Sequence, residues 1–106
     1  MEFGHDSGKI SRYGKLTAKP GKGAELAGIL LEAAGDLESD PGCELYIVNR
    51  ESASPDVVWV TELWRSKADL DASIERIRGS DQVQRTMQLV AGAEMVELDL
   101  LGGKGA

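Results

Sequence analysis

Along the chain the apolar positions switch between a period of two and a period near 3.6, and the switches fall at prolines, glycines and capping residues. Lys9–Ala18 alternates, with Ile10, Gly14, Leu16 and Ala18 on one face and Ser11, Tyr13, Lys15 and Thr17 on the other. Arg12 intrudes on the first face. The pattern predicts a strand closed by Pro20-Gly21. From about Lys22, Leu26, Ile29, Leu30, Ala33 and Leu37 recur at helical spacing, predicting a helix to Glu38 or Ser39 before the turn Asp40-Pro41-Gly42. Cys43–Arg50 is a second strand, with Leu45, Ile47 and Asn49 opposite Tyr46, Val48 and Arg50. Polar Glu51–Asp56 is a hairpin-length connection. In the third strand Val58, Val60, Glu62 and Trp64 share one face, and Trp59, Thr61, Leu63 and Arg65 the other. Ser66, with Asp69 three residues on, is placed to cap a helix carrying Leu70, Ile74 and Ile77, which Gly79 stops. A further helix from Ser80 or Asp81 is expected to carry Val83, Met87 and Val90 and to end at Gly92. Glu94–Leu101 alternates again as a last strand.

The order β-α-β-β-α-(α)-β predicts an α+β fold of the ferredoxin-like, split βαβ kind, a four-stranded antiparallel sheet with helices on one face. The other face carries Trp59, Leu63 and either Leu45 or Tyr46, too much apolar surface to leave in water. A homodimer packed sheet to sheet, a dimeric α+β barrel, is the expected remedy. The organisation expected is a flexible leader over residues 1–8, one domain over 9–101 and a glycine-rich flexible tail over 102–106.

Composition narrows the function. A chain of 106 residues that is 42% hydrophobic can build a core, while its net charge of −6 disfavours nucleic-acid and anionic-membrane partners. Cys43 is the single cysteine, so neither a disulfide framework nor a cysteine metal cluster is expected. With no signal-like leader and no run near the ~20 apolar residues of a membrane span, a cytoplasmic protein is expected.

Three blocks then resemble the antibiotic biosynthesis monooxygenase family. They are Lys19-Pro20-Gly21-Lys22 before a helix, Pro41-Gly42-Cys43-Glu44-Leu45-Tyr46 opening a strand, and Glu62-Leu63-Trp64-Arg65-Ser66-Lys67-Ala68 leading into a helix. The likeness runs from about Lys9 to Leu100. It implies a dimeric α+β barrel with one pocket per subunit between sheet and helices, and a family spanning cofactor-independent monooxygenases of quinols and polyketide anthrones, an aldehyde-isomerising branch and haem-degrading enzymes. Many relatives place a histidine where this chain has Ser73. The haem-degrading branch needs that histidine, together with an asparagine where this chain has Gly14. The one histidine here is His5, in the leader, so haem degradation is disfavoured.

Glu62 is the candidate base, its pKa raised by burial, and Trp64 the wall on which a flat aromatic substrate stacks. The blander reading makes Trp64 core filler and pairs Glu62 with a nearby arginine. Tyr46 or Asn49 would orient a substrate oxygen, and Arg50 would stabilise an oxyanion. Because Tyr46 and Arg50 oppose Asn49, the three cannot all face one pocket. Leu70, Ile74 and Met87 belong to core stripes that would also roof a cleft, and Ser73 would line it. Cys43 reads as a small buried hydrophobe. Lys19-Pro20-Gly21-Lys22-Gly23 lacks phosphate-loop spacing, and nothing has metal-ligand spacing. The first functional expectation is oxidation of a planar phenolic, quinol or anthrone-type substrate by O2 without a cofactor. The alternatives are a non-catalytic protein that binds a small apolar metabolite, and an aldehyde isomerase, for which the strands offer few polar groups.

Overall fold

The computed structural model describes residues 7–106; the expected leader falls largely on residues 1–6, outside the described residues. The elements are β1 (Ile10–Ala18), α1 (Gly23–Asp36) with a 3-10 turn at Leu37–Ser39, β2 (Cys43–Arg50), β3 (Val57–Trp64), α2 (Lys67–Ile77), α3 (Asp81–Leu89) and β4 (Val90–Asp99). All strand pairs are antiparallel, in the order β2-β3-β1-β4. The helices lie on one face, the ferredoxin-like α+β arrangement that the alternation predicts.

The core forms where the helix-side residues of β1 and β3 meet α1. Leu16, Ala18, Val58 and Val60 pack there against Leu26 and Leu30, all buried. Full burial of one such aliphatic side chain stabilises the fold by about 1.5–3 kcal/mol. Local chemistry sets how the helices start. Asp56, from the β2–β3 connection, accepts the Gly21 and Gly23 backbone N–H groups at 3.0 and 2.9 Å, so its carboxylate occupies the α1 N-terminus. The glycine-rich run that superficially suggested a phosphate loop is thus filled from within the chain. Gly23 is close-packed: a Cβ there would drive into the Pro55 carbonyl oxygen. At α2 the Ser66 hydroxyl accepts the Asp69 N–H at 3.1 Å, the cap that the spacing predicts.

The end of the chain differs from expectation. α3 stops at Leu89, and β4 begins at Val90 rather than Glu94 and ends at Asp99 rather than Leu101. Gly92 is therefore a strand residue without a positive φ, not a helix stop, and Val90 is not on a helical stripe. Pairing with β1 explains the shift: Val90 lies opposite Ala18 across a bulge, and the Lys19 N–H donates to the Leu89 carbonyl at 2.8 Å. Met87, expected in the core, is 71% exposed.

The sheet's second face is bare. Tyr13, Leu45, Ile47, Trp59, Val96 and Leu98 stand exposed on it. Leu45 is on this face and Tyr46 on the other, which resolves the alternative left open by the pattern. No helix among the described residues is long and apolar enough to cross a membrane.

Candidate active site

Between the helix-side face of the sheet and α1, α2 and α3 lies a cavity of about 590 Å³, within the usual range for a small-molecule site. Leu70, Ile74 and Ile77 of α2, Val83 and Met87 of α3 and Met95 of β4 make its apolar lining. Met95 lies over Gly14, where an added Cβ would be 2.5 Å from its sulfur, so the missing side chain of Gly14 makes room for it.

Its polar part is built by strand register. Glu62 of β3 pairs with Tyr46 of β2 on one side and with Arg12 of β1 on the other, and Arg12 pairs in turn with Glu97 of β4. Cross-strand partners share a face, so these side chains form one row on the helix side. Glu62 and Trp64 are 4% and 2% exposed. The Trp64 indole N–H donates to Glu62 Oε1 at 2.9 Å, and Arg12 Nη1 stands 3.9 Å from the same oxygen, too far for a hydrogen bond. Among the described residues nothing hydrogen-bonds the second carboxylate oxygen, Oε2, or the hydroxyls of Tyr46 and Ser73, although all three residues line the cavity.

Burial raises the Glu62 pKa, opposed by the Trp64 hydrogen bond and then by the charge of Arg12. Burial also raises that of Tyr46, and the neighbouring Glu62 charge adds to the shift, so the phenol remains a hydrogen-bond donor at neutral pH. Cys43 is half-buried, its thiol pushed up by desolvation, and its S–H reaches the Leu45 carbonyl at 3.5 Å. No group of histidine, cysteine and carboxylate side chains that could hold a metal ion occurs among the described residues.

The cavity therefore brings together Glu62, Trp64, Tyr46, Leu70, Ser73, Ile74 and Met87. It does not include Asn49 or Arg50. Asn49 pairs with Trp59 on the bare face, and Arg50 ends β2 in solvent, beyond the cavity. Pattern reading passed over several lining residues, among them Asp36, Arg78, Gln82, Gln84, Met95 and, beside Glu62, Arg12. The one signal for Arg12 was a charge on the apolar face of the first strand.

Fold and cavity define the class: a ferredoxin-like α+β protein with a small-molecule site between sheet and helices. Residues 10–89 match the sequence profile of the family described as antibiotic biosynthesis monooxygenase, and the chain belongs to that family. Among solved structures it resembles a candidate antibiotic biosynthesis monooxygenase from Chloroflexus aurantiacus, at 34% identity and TM-score 0.79, covering 92% of this chain and 97% of the other. A second such protein, from Caulobacter crescentus, is 25% identical with TM-score 0.76, covering 91% and 92%. SnoaB, a cofactor-independent oxygenase from Streptomyces nogalater, shares the fold at TM-score 0.80 and 12% identity, covering 93% and 99%. A comparison with curated proteins gives no match.

Proposed function

We propose that the protein is a cofactor-independent monooxygenase that oxidises a planar phenolic, quinol or anthrone-type substrate to a quinone with O2, acting as a cytoplasmic homodimer. The observation that carries the reading is Glu62: a buried carboxylate on a cavity wall, with one oxygen fixed by Trp64 and the other open to a ligand. Family membership and the likeness to the Chloroflexus and Caulobacter proteins support the same class of reaction.

The chemistry follows from placing a flat phenol against Trp64, Leu70 and Ile74. Glu62 Oε2 takes the hydroxyl proton, and the phenolate carries electron density to its para carbon. That carbon gives one electron to O2, and the resulting radical and superoxide combine to form a C–O bond. The proton held on Glu62 completes a hydroperoxide. Loss of the remaining C–H proton to Glu62 then breaks the O–O bond, leaving a carbonyl and expelling hydroxide, which takes that proton back from Glu62 as water. One O2 thus converts a phenol to a quinone plus one water, and the substrate is the reductant throughout. Burial fits Glu62 to the task, because a raised pKa brings a carboxylate closer to that of a phenol. Tyr46 and Ser73 supply further hydrogen bonds for orientation.

An oxygen electrode with dihydroxynaphthalenes and anthrones tests the reading. Uptake above the blank is expected, falling about 10²–10⁴-fold in Glu62→Gln. Uptake equal to the blank across the panel overturns the oxygenase reading, and ligand binding without uptake would leave a binding protein.

A further inference from the structure

Arg12 lines the cavity with its side chain only 21% exposed, and its place in the cross-strand row gives it two acidic neighbours. Neither neutralises it by hydrogen bonding. The Glu62 oxygen nearest to it, at 3.9 Å, already accepts from Trp64. Glu97, its partner on β4, is engaged by Lys67, whose Nζ reaches both carboxylate oxygens at 2.9 and 3.0 Å. No donor of the guanidinium makes a hydrogen bond to a described residue. A half-buried guanidinium is a planar fork of five donors that matches a carboxylate. Among the described residues no fully buried side-chain nitrogen lacks a partner, so the unpaired N–H groups of Arg12 are open to the cavity, where a ligand can take them. Long-range steering of anions is no rival explanation, because the chain's net charge is −6.

We propose that Arg12 is the anion-binding group of this cavity, and that the substrate is an aromatic compound bearing an anionic oxygen beside its reacting hydroxyl, as an ortho-hydroxy aromatic acid does. The inference rests on the cavity's being the substrate site, and it names the class of molecule that site takes. Donor and acceptor stand side by side on adjacent strands: Arg12 holds the anion while Glu62 Oε2 faces the neighbouring hydroxyl. Arg12 is then a specificity-determining residue, and a plain naphthol would fill the apolar part of the cavity and leave the guanidinium bare.

Calorimetric titration with 1-hydroxy-2-naphthoate and with its methyl ester, which is similar in size but neutral, tests this. The acid is expected to bind the wild type at least tenfold more tightly, about 1.4 kcal/mol. Desolvation alone would favour the ester. Arg12→Met should erase the difference, and Arg12→Lys should keep part of it, since an ammonium lacks the fork. If Arg12→Met does not fold, the Arg12 Nε–H resonance of the wild type decides the matter: it should move when the acid is added and stay when the ester is added. Equal or tighter binding of the ester, an undiminished preference in Arg12→Met, or an unmoved Nε–H resonance overturns the proposal. Preference for the acid without oxygen uptake leaves it standing and removes only the oxygenase reading; binding of neither ligand removes the anion site with the cavity reading beneath it.

Discussion

At the scale of single residues, Trp64 and Glu62 act as one unit. The indole is buried at the cavity wall, and its N–H fixes which carboxylate oxygen is left for a ligand. The bland and functional readings of Trp64 are therefore compatible: it is buried filler that also aims the candidate base. Trp64→Phe keeps most of the bulk and deletes the donor that holds the Glu62 pKa down. The acid limb of the activity profile, where Glu62 ionises, should then move to higher pH, which rates across a pH series would measure. Stability carries a second signature. Because the folded protein raises the Glu62 pKa above its ordinary 4.5, it binds this proton more tightly than the unfolded chain. Stability contributed at this site must therefore fall as pH rises from 4.5 through the raised value, then level off. Asp69, held down to about 2 chiefly by its hydrogen bond from Arg65, works oppositely: its contribution is present above the ordinary aspartate value and is lost as pH falls toward 2. Urea unfolding of wild type and Glu62→Gln across pH 4–8 separates the two. The difference between the proteins should shift in favour of Glu62→Gln as pH rises, and a pH-independent difference would contradict a shifted Glu62.

At the scale of elements, α2 roofs the cavity and is anchored at its N-terminus. Ser66 caps it, Asp69 is clamped by Arg65 at 2.8 and 2.9 Å, and Gly42 lies so close that an added Cβ would stand 2.6 Å from the Asp69 Cβ. Ser66→Ala should cost about 1 kcal/mol in chemical denaturation through loss of the cap. The Ser66 cap was legible in the sequence because it depends on residues three positions apart. So were the strands and the split βαβ order, which follow from periodicity and from punctuation by Pro20, Pro41 and Gly79. What depended on register was not legible. That Arg12 stands beside Glu62 is fixed by which residues of β1 and β3 pair, and alternation within one strand contains no such information. The face of Tyr46 and Asn49 was open for the same reason, until the β2–β3 pairing placed Tyr46 opposite Glu62. The start of β4 was misjudged because Val90 fits a helical stripe locally and is drawn into the sheet by its long-range pairing with Ala18. The family resemblance contributed the pocket's location, which the pattern of this one chain does not contain.

At the scale of the whole molecule, one sheet must serve two environments. Its helix side forms the core and the cavity; its other side presents Tyr13, Leu45, Ile47, Trp59, Val96 and Leu98 to solvent. An exposed apolar face of this kind is a candidate interface, and the proposed twofold assembly would bury it against a second copy. Trp59 is the residue to test. It lies on the third strand near the centre of the face, its indole N–H donates to Glu51 at 3.2 Å, and Lys15 stands 5.8 Å over its ring. Those partners on its own chain leave it 38% exposed, so a charge placed there should be tolerated by the monomer's own core. Buried against another sheet, the same charge would be unpaired and costly. Trp59→Glu should therefore sediment as a single 11.3 kDa chain where the wild type sediments at twice that mass. The wild-type melting temperature should rise with protein concentration, while that of Trp59→Glu should not. A wild type that sediments as one chain at every micromolar concentration would show that this face stays in water, and the homodimer would have to be abandoned.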